Sequence, residues 1–416
     1  MTPVWPAPKM PLPVMVWFHG GANAGGTASS ALYKDGMLVQ HGVVLVTVNY
    51  RLGMVGFFAH PALTKESPHH SSGNYGLLDQ LLALQWVHDN IAKFGGDPAN
   101  VTAFGQSAGA IDAGYLMVSP LAKGLFQRLI AQSGSPLGPP LPKLSEAEQA
   151  NQKLVASLKA PADHELQSLR ERSVQELLVV PGKQDPEAPS IGPIIDGWLI
   201  SRSPAEVLSA GQEAPVDLLI GTTSREFGMP GPPDEVRKFI QNVTGSVADR
   251  AFALYGLANG GVGNTDPLYG SAGDQWFADL AFRCPTTTEA AWHTAAHRPV
   301  YEYELQHAIP GQQSQGAVHS ADLPYVFGYF PKAGNIAGNF DDVDFKLADL
   351  IETYWANFAS TGDPNSNGLP KWPDFDGEQT YIQFRQDGSV GTSTGLRKPY
   401  CDLYRDVVKQ RTSGTP

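Results

Sequence analysis

Apolar residues early in the chain gather into short runs rather than into one continuous stripe. Val14 to Phe18 (VMVWF) and Val43 to Asn49 (VVLVTVN) are dominated by β-branched and aromatic residues. Runs without polar alternation suit strands buried on both faces, as in a parallel sheet covered by helices. The period then changes. Leu77, Leu78, Leu81, Leu82, Trp86 and Ile91 recur at helical spacing within Asn74 to Phe94, and Gly95-Gly96-Asp97-Pro98 ends the run. Val101 to Phe104 predicts the next strand, Ala108 to Val118 a helix, and Leu129 to Gln132 a further strand. Later strands are expected at Pro215 to Gly221, Pro299 to Leu305 and Tyr381 to Phe384, with an amphipathic helix at Phe345 to Ala359. This alternation implies βαβ units in a doubly wound, mostly parallel sheet of the α/β class.

Two stretches leave that rhythm. A proline-rich break at Pro136 to Pro142 leads into charged, helical sequence from Ser145 to Glu176, predicting an excursion over about 136–190. Met229 to Phe277 mixes helical and glycine-rich sequence, predicting a second excursion, part of a lid, over about 229–280. Residues 1–416 are read as a single domain with both excursions covering its site. There is no internal repeat and no low-complexity segment. Asn100-Val101-Thr102 and Asn242-Val243-Thr244 match the glycosylation pattern, a weak signal in a long chain.

Composition narrows the function classes. Length alone would allow two or three domains, although large α/β enzymes often exceed that prior. A net charge of -12 argues against nucleic acid, because phosphate binding needs a basic face. No apolar run approaches the roughly 18 to 20 residues that span a bilayer. The proline-rich start, MTPVWPAPKMPLP, lacks the cationic and long apolar regions of a signal peptide. A soluble enzyme for neutral substrates fits best. The two cysteines, Cys284 and Cys401, have no neighbours of a metal site or redox pair, and their spacing leaves free thiols and a disulfide both open.

The densest chemical signal is Phe104-Gly105-Gln106-Ser107-Ala108-Gly109, which runs from a predicted strand into a predicted helix. A serine on such a sharp turn needs glycines two residues before and after it, because side chains there would strike neighbouring backbone. The turn exposes Oγ at a helix N-terminus, where N–H groups can meet a developing negative charge. An acyl-transfer serine follows as the leading reading for Ser107.

Serine needs a base, and the base needs a buried acid to hold its tautomer. In the α/β-hydrolase order these partners come later, acid before histidine. Glu226 lies just past the Val216–Ile220 strand; its rival Asp196 precedes that strand in a turn. Downstream histidines are His293, His297, His307 and His319. The first two fall in helical sequence before a strand, and position alone leaves His307 and His319 open. His19-Gly20-Gly21-Ala22 follows the first strand at once, and small residues there free backbone N–H groups to converge on one point.

Taken together, these segments resemble the type-B carboxylesterases, the family that includes the cholinesterases. The resemblance spans nearly the whole chain through Val16 to Ala22, Asn49 to Gly53, Gly73 to Gln80, Phe94 to Pro98, Phe104 to Gly109, Gln132 to Ser135 and Ala317 to Gly328. It implies an α/β-hydrolase fold and hydrolysis of small-molecule carboxylic esters through an acyl-enzyme, without metal or organic cofactor. Ser107 is then the nucleophile, Glu226 the triad acid and His319 the base, since His319 to Gly328 matches the family's histidine segment. The implied oxyanion donors are the N–H groups of Gly21, Ala22 and Ala108, with Gln106 and Ser133 supporting the histidine from further out.

The resemblance also implies a Cys284–Cys401 disulfide, which would favour a secreted or periplasmic setting over the cytoplasm. Alanine at position 22, where a third glycine is common, belongs to a loop type associated with bulky alcohol groups. Relatives carry a long segment before the Val14 strand, and Val4-Trp5-Pro6 looks like its tail, so the expectation is either a naturally shortened member or a chain whose biological start is not Met1. A non-catalytic binding relative is the alternative from another class, and an amidase, lactonase or aromatic-ester hydrolase the alternative among enzymes. Oligomeric state is left open.

Overall fold

A computed structural model describes residues 10–34, 37–158, 160–161, 164–178, 191–229 and 231–412. The strands are β1 (Leu12–Phe18), β2 (Val44–Val48), β3 (Gly96–Gln106), β4 (Arg128–Gln132), β5 (Asp217–Thr223), β6 (Val300–Leu305), β7 (Thr380–Phe384) and β8 (Val390–Thr394). They form one sheet in the order β2-β1-β3-β4-β5-β6-β7-β8, with every neighbouring pair parallel except β7 and β8.

Alternation along each strand divides the core in two. Val14, Val16 and Phe18 of β1 pack with Ala103, Leu129, Leu218 and Ile220 and with Leu77, Leu81 and Leu84 of helix Tyr75–Asn90. Met15 and Trp17 point the other way, to Phe104, Ile130 and Leu219 and to Ile351 and Trp355 of helix Asp342–Thr361. Both faces are covered, so continuous apolar runs are stable there, at about 1.5–3 kcal/mol per fully buried large side chain. A one-residue slip would exchange the two sets, which fixes the register.

The apolar runs mark seven of the eight strands. β8 escapes because VGTST is half exposed at the sheet edge and needs little apolar surface. β3 begins at Gly96 rather than Val101, because β1 supplies a ladder partner, Leu12 to Gly96, to residues with no strand pattern of their own. Helices Leu144–Ser157, Glu165–Arg170 and Val174–Leu178 fill the first excursion as far as described, and 179–190 lie outside the described residues, as does Val4-Trp5-Pro6. Helices Pro233–Thr244, Ala248–Leu254 and Ala272–Ala278 occupy the second. Among the described residues no helix is long and apolar enough to cross a membrane.

Cys284 and Cys401 are joined in a disulfide across a sequence separation of 117 residues. It ties the start of helix Cys284–Ala295 to helix Lys398–Thr412, in a buried cluster with Tyr404 and Val408. A crosslink closing so long a loop contributes about 2–5 kcal/mol.

The helix Cys284–Ala295 and β6 also bury carboxyls, Glu289 and Glu302. Burial pushes Glu289 up from its ordinary 4.5 to about 8, with Glu213 adding to the rise. Glu302 is likewise pushed up to about 8 by burial. Between the ordinary value and about 8 the folded chain keeps protons that the unfolded chain releases, so stability falls as pH rises through that window. Glu289→Gln is therefore expected to raise Tm near pH 8 and to flatten the fall that begins near about pH 5. Melting curves across that range check it; an unchanged slope would contradict the assignment.

Candidate active site

β3 delivers its serine on a strained turn. Ser107 has φ 57° and ψ −127°, in the left-handed region that side chains avoid, and starts helix Ala108–Val118. The flanking glycines are there for space. A Cβ on Gly105 would stand 2.4 Å from the Gly109 carbonyl carbon, and one on Gly109 would stand 2.0 Å from Phe18 O. Ser107 N–H donates to Gln132 O at 2.9 Å, which ties the turn to the end of β4. The Ser107 side chain makes no capping bond to its helix, so the hydroxyl is not spent on the fold.

Across from it stand the acid and the histidine. Glu226 is buried in the turn after β5 with φ 37°, another left-handed non-glycine residue. Its Oε1 accepts from Ser133 Oγ at 2.6 Å and Thr223 N–H at 2.8 Å, and its Oε2 accepts from His319 Nδ1. Burial alone would push this carboxyl up. Attraction to the His319 ring and the bonds from His319, Ser133 and Thr223 outweigh it and hold Glu226 below its ordinary range. The two loops are also sewn together by backbone, Arg225 N–H to Ala317 O at 3.0 Å and His319 N–H to Glu226 O at 3.3 Å. Because an ionised carboxylate only accepts, Nδ1 carries the proton and Nε2 presents a lone pair.

That lone pair meets Gln106 Nε2 at 3.0 Å, the residue immediately before Ser107. Among the described residues His319 Nε2 bonds this amide rather than Ser107 Oγ. Hydrogen bonds of this kind are often loose without substrate and tighten when it binds. Phe227 and Phe282 pack on the His319 ring, with centroids at 4.2 and 4.8 Å. Phe282 is carried by a π-turn, Asp279–Arg283, a local feature that no apolar period announces.

The third component is the loop after β1. Gly21 has φ 119°, and Ala22 and Asn23 have φ 54° and 55°. Gly20 packs directly on the serine, since a Cβ there would lie 3.0 Å from Ser107 Cβ. Tyr50 braces the loop from behind, stacking on His19 at 4.6 Å and donating to His19 O at 2.6 Å. Among the described residues the N–H groups of Gly21, Ala22 and Ala108 donate to no other residue.

The sequence rivals are occupied elsewhere. His307 bonds Asp344 Oδ1 at 2.9 Å and Gln386 O at 2.8 Å. His293 is buried between Glu213 and the Val216 carbonyl. Asp196 closes its own turn through Trp198 and Ile200 N–H and accepts from Ser71. Ser133 touches the acid rather than the histidine. Of the glycosylation matches, Asn100 has its amide engaged with Ser360 O and Arg128.

A sheet of this order that ends its third strand in a strained serine turn is the α/β-hydrolase fold, and serine hydrolysis is the chemistry hosted there. Comparison with known proteins narrows the class. Residues 1–404 match the carboxylesterase family. The chain is 34% identical over 393 residues to fumonisin B1 esterase of Sphingopyxis macrogoltabida, covering 92% of this chain and 71% of that protein. It is 35% identical over 427 residues to cocaine esterase of Homo sapiens, covering 96% and 73%. To liver carboxylesterase of Sus scrofa it is 33% identical over 421 residues, covering 93% and 71%. The chain belongs to the carboxylesterase family and is a carboxylic ester hydrolase.

Proposed function

We propose that Ser107, His319 and Glu226 form the catalytic triad of this esterase, with the N–H groups of Gly21, Ala22 and Ala108 as its oxyanion hole. The observation that carries the reading is the chain of contacts from buried Glu226 through His319 Nδ1 to an Nε2 lone pair that meets Gln106, the residue immediately before Ser107. Ser107 Oγ attacks the ester carbonyl as Nε2 takes its proton. The same nitrogen then returns that proton to the leaving alcohol. Water, deprotonated in turn by His319, cleaves the acyl-enzyme and releases the acid. Glu226 holds the ring in its productive tautomer and offsets the charge it gains. Gln106 keeps the ring seated until an approaching ester brings Oγ and Nε2 together.

The relatives are named for unlike substrates, fumonisin B1 and cocaine among them, so the shared chemistry is ester cleavage and the pocket selects the partner. Hydrolysis of p-nitrophenyl acetate, butyrate and octanoate by the purified chain tests this reading. Saturable turnover is expected, with the chain-length trend mapping the acyl pocket. A folded chain that cleaves none of the three would overturn it.

A further inference from the structure

We propose that Asp112 is a positioning residue for ester hydrolysis, acting through Asn23 to bolt the oxyanion loop to the nucleophile's helix. The inference rests on the triad and oxyanion hole proposed above. The three oxyanion donors come from two separate elements. Gly21 and Ala22 lie on the loop after β1, whereas Ala108 opens the helix that Ser107 begins. Their N–H groups serve one oxygen only if the two elements keep their spacing, and a misplacement of about 1 Å can cost about 10²-fold in rate.

The loop does not hold that shape by backbone preference. Ala22 and Asn23 are consecutive non-glycine residues in the left-handed region, an arrangement that persists only where surroundings over-determine it. Asn23 supplies the anchor. Its side chain turns inward, 5% exposed, and Nδ2 donates to Asp112 Oδ1 at 2.9 Å. Its backbone carbonyl accepts from Gly53 N–H at 2.6 Å. Asp112 is wholly buried on helix Ala108–Val118, and its other oxygen accepts from Gln80 Nε2 of helix Tyr75–Asn90 at 2.6 Å. Asp112 is thus the shared acceptor of two amides from two neighbouring elements. Among the described residues, Asn23 to Asp112 is the side-chain hydrogen bond that joins the oxyanion loop to the nucleophile's helix.

The chemistry of the site tells an anchor from a general core residue. Among the described residues Asn23 Oδ1 and Gln80 Oε1 are buried without partners. Asparagine at position 112 can therefore accept from Asn23 with its oxygen and donate to Gln80 Oε1 after that amide turns over. Alanine at 112 can do neither. Glycine at 23 keeps the left-handed backbone without strain while deleting the anchor.

Asn23→Gly, Asp112→Ala and Asp112→Asn test the proposal beside the parent. Organophosphate titration counts competent Ser107, and kcat is expressed per titrated site. Affinity for an aryl trifluoromethyl ketone, which forms a tetrahedral oxyanion adduct, reports the hole itself. Asn23→Gly and Asp112→Ala are expected to lower kcat about 10- to 100-fold with KM within about threefold, and to weaken the ketone in parallel. Asp112→Asn is expected to restore both to within about threefold of the parent. Loss of titratable sites or of Tm alone, with kcat per site and ketone affinity unchanged, would overturn the proposal. A parent that neither labels nor turns over would instead defeat the triad reading, and this inference would fall with it.

Discussion

Replacing Ser107 with alanine is expected to lower kcat by about 10³-fold or more while leaving the fold unchanged. Alanine at this position accepts the same left-handed φ of 57° at the same backbone cost as serine. Among the described residues the hydroxyl caps no helix and bonds no neighbour, so its removal deletes no structural contact there. What disappears is the atom that forms the acyl-enzyme, and with it the covalent route. Residual activity should be what the oxyanion donors and substrate positioning give on their own. Steady-state hydrolysis of p-nitrophenyl butyrate, with melting curves for both proteins, measures the effect. Turnover within about tenfold of the parent would remove Ser107 from the mechanism.

Glu226→Gln is expected to lower kcat about 10⁴-fold with little change in KM, by the tautomer logic that governs triad acids. Oε1 already accepts two donors, the Ser133 hydroxyl and the Thr223 amide. The glutamine oxygen must take that place, which turns its NH₂ toward His319 Nδ1. A donor facing Nδ1 forces the ring proton onto Nε2, where it blocks the lone pair meant for Ser107. The carboxylate that offsets the imidazolium is lost at the same time. Kinetics of the variant, with ring-proton NMR of His319, check both halves. A fall of less than about tenfold would point to another acid.

The sheet was legible where burial on both faces demands uninterrupted apolar runs, as in VMVWF of β1 and VVLVTVN around β2. The strained turn at Ser107 was legible for a steric reason: a Cβ on Gly109 would collide with Phe18 O, so the glycine spacing encodes the geometry. The proposed base, His319, was not legible from spacing. His307 has a buried carboxylate of its own, Asp344, and forms a histidine–acid pair away from the serine. Only the resemblance of the His319 segment to a known family separated the two. The supports were invisible for a different reason. Asn23, Gln80 and Asp112 come from three elements and meet only after folding, and Phe282 reaches His319 through a π-turn without a periodic signature. β8 left no apolar trace because the sheet edge asks for none.

Stoichiometric labelling of the purified chain with a serine-directed organophosphate, followed by peptide mass mapping, tests the central claim most directly. One adduct per chain is predicted, on the peptide that contains Ser107, with ester hydrolysis lost in proportion to labelling. Ester hydrolysis that survives full labelling of Ser107, or an adduct that maps to another serine, would contradict it.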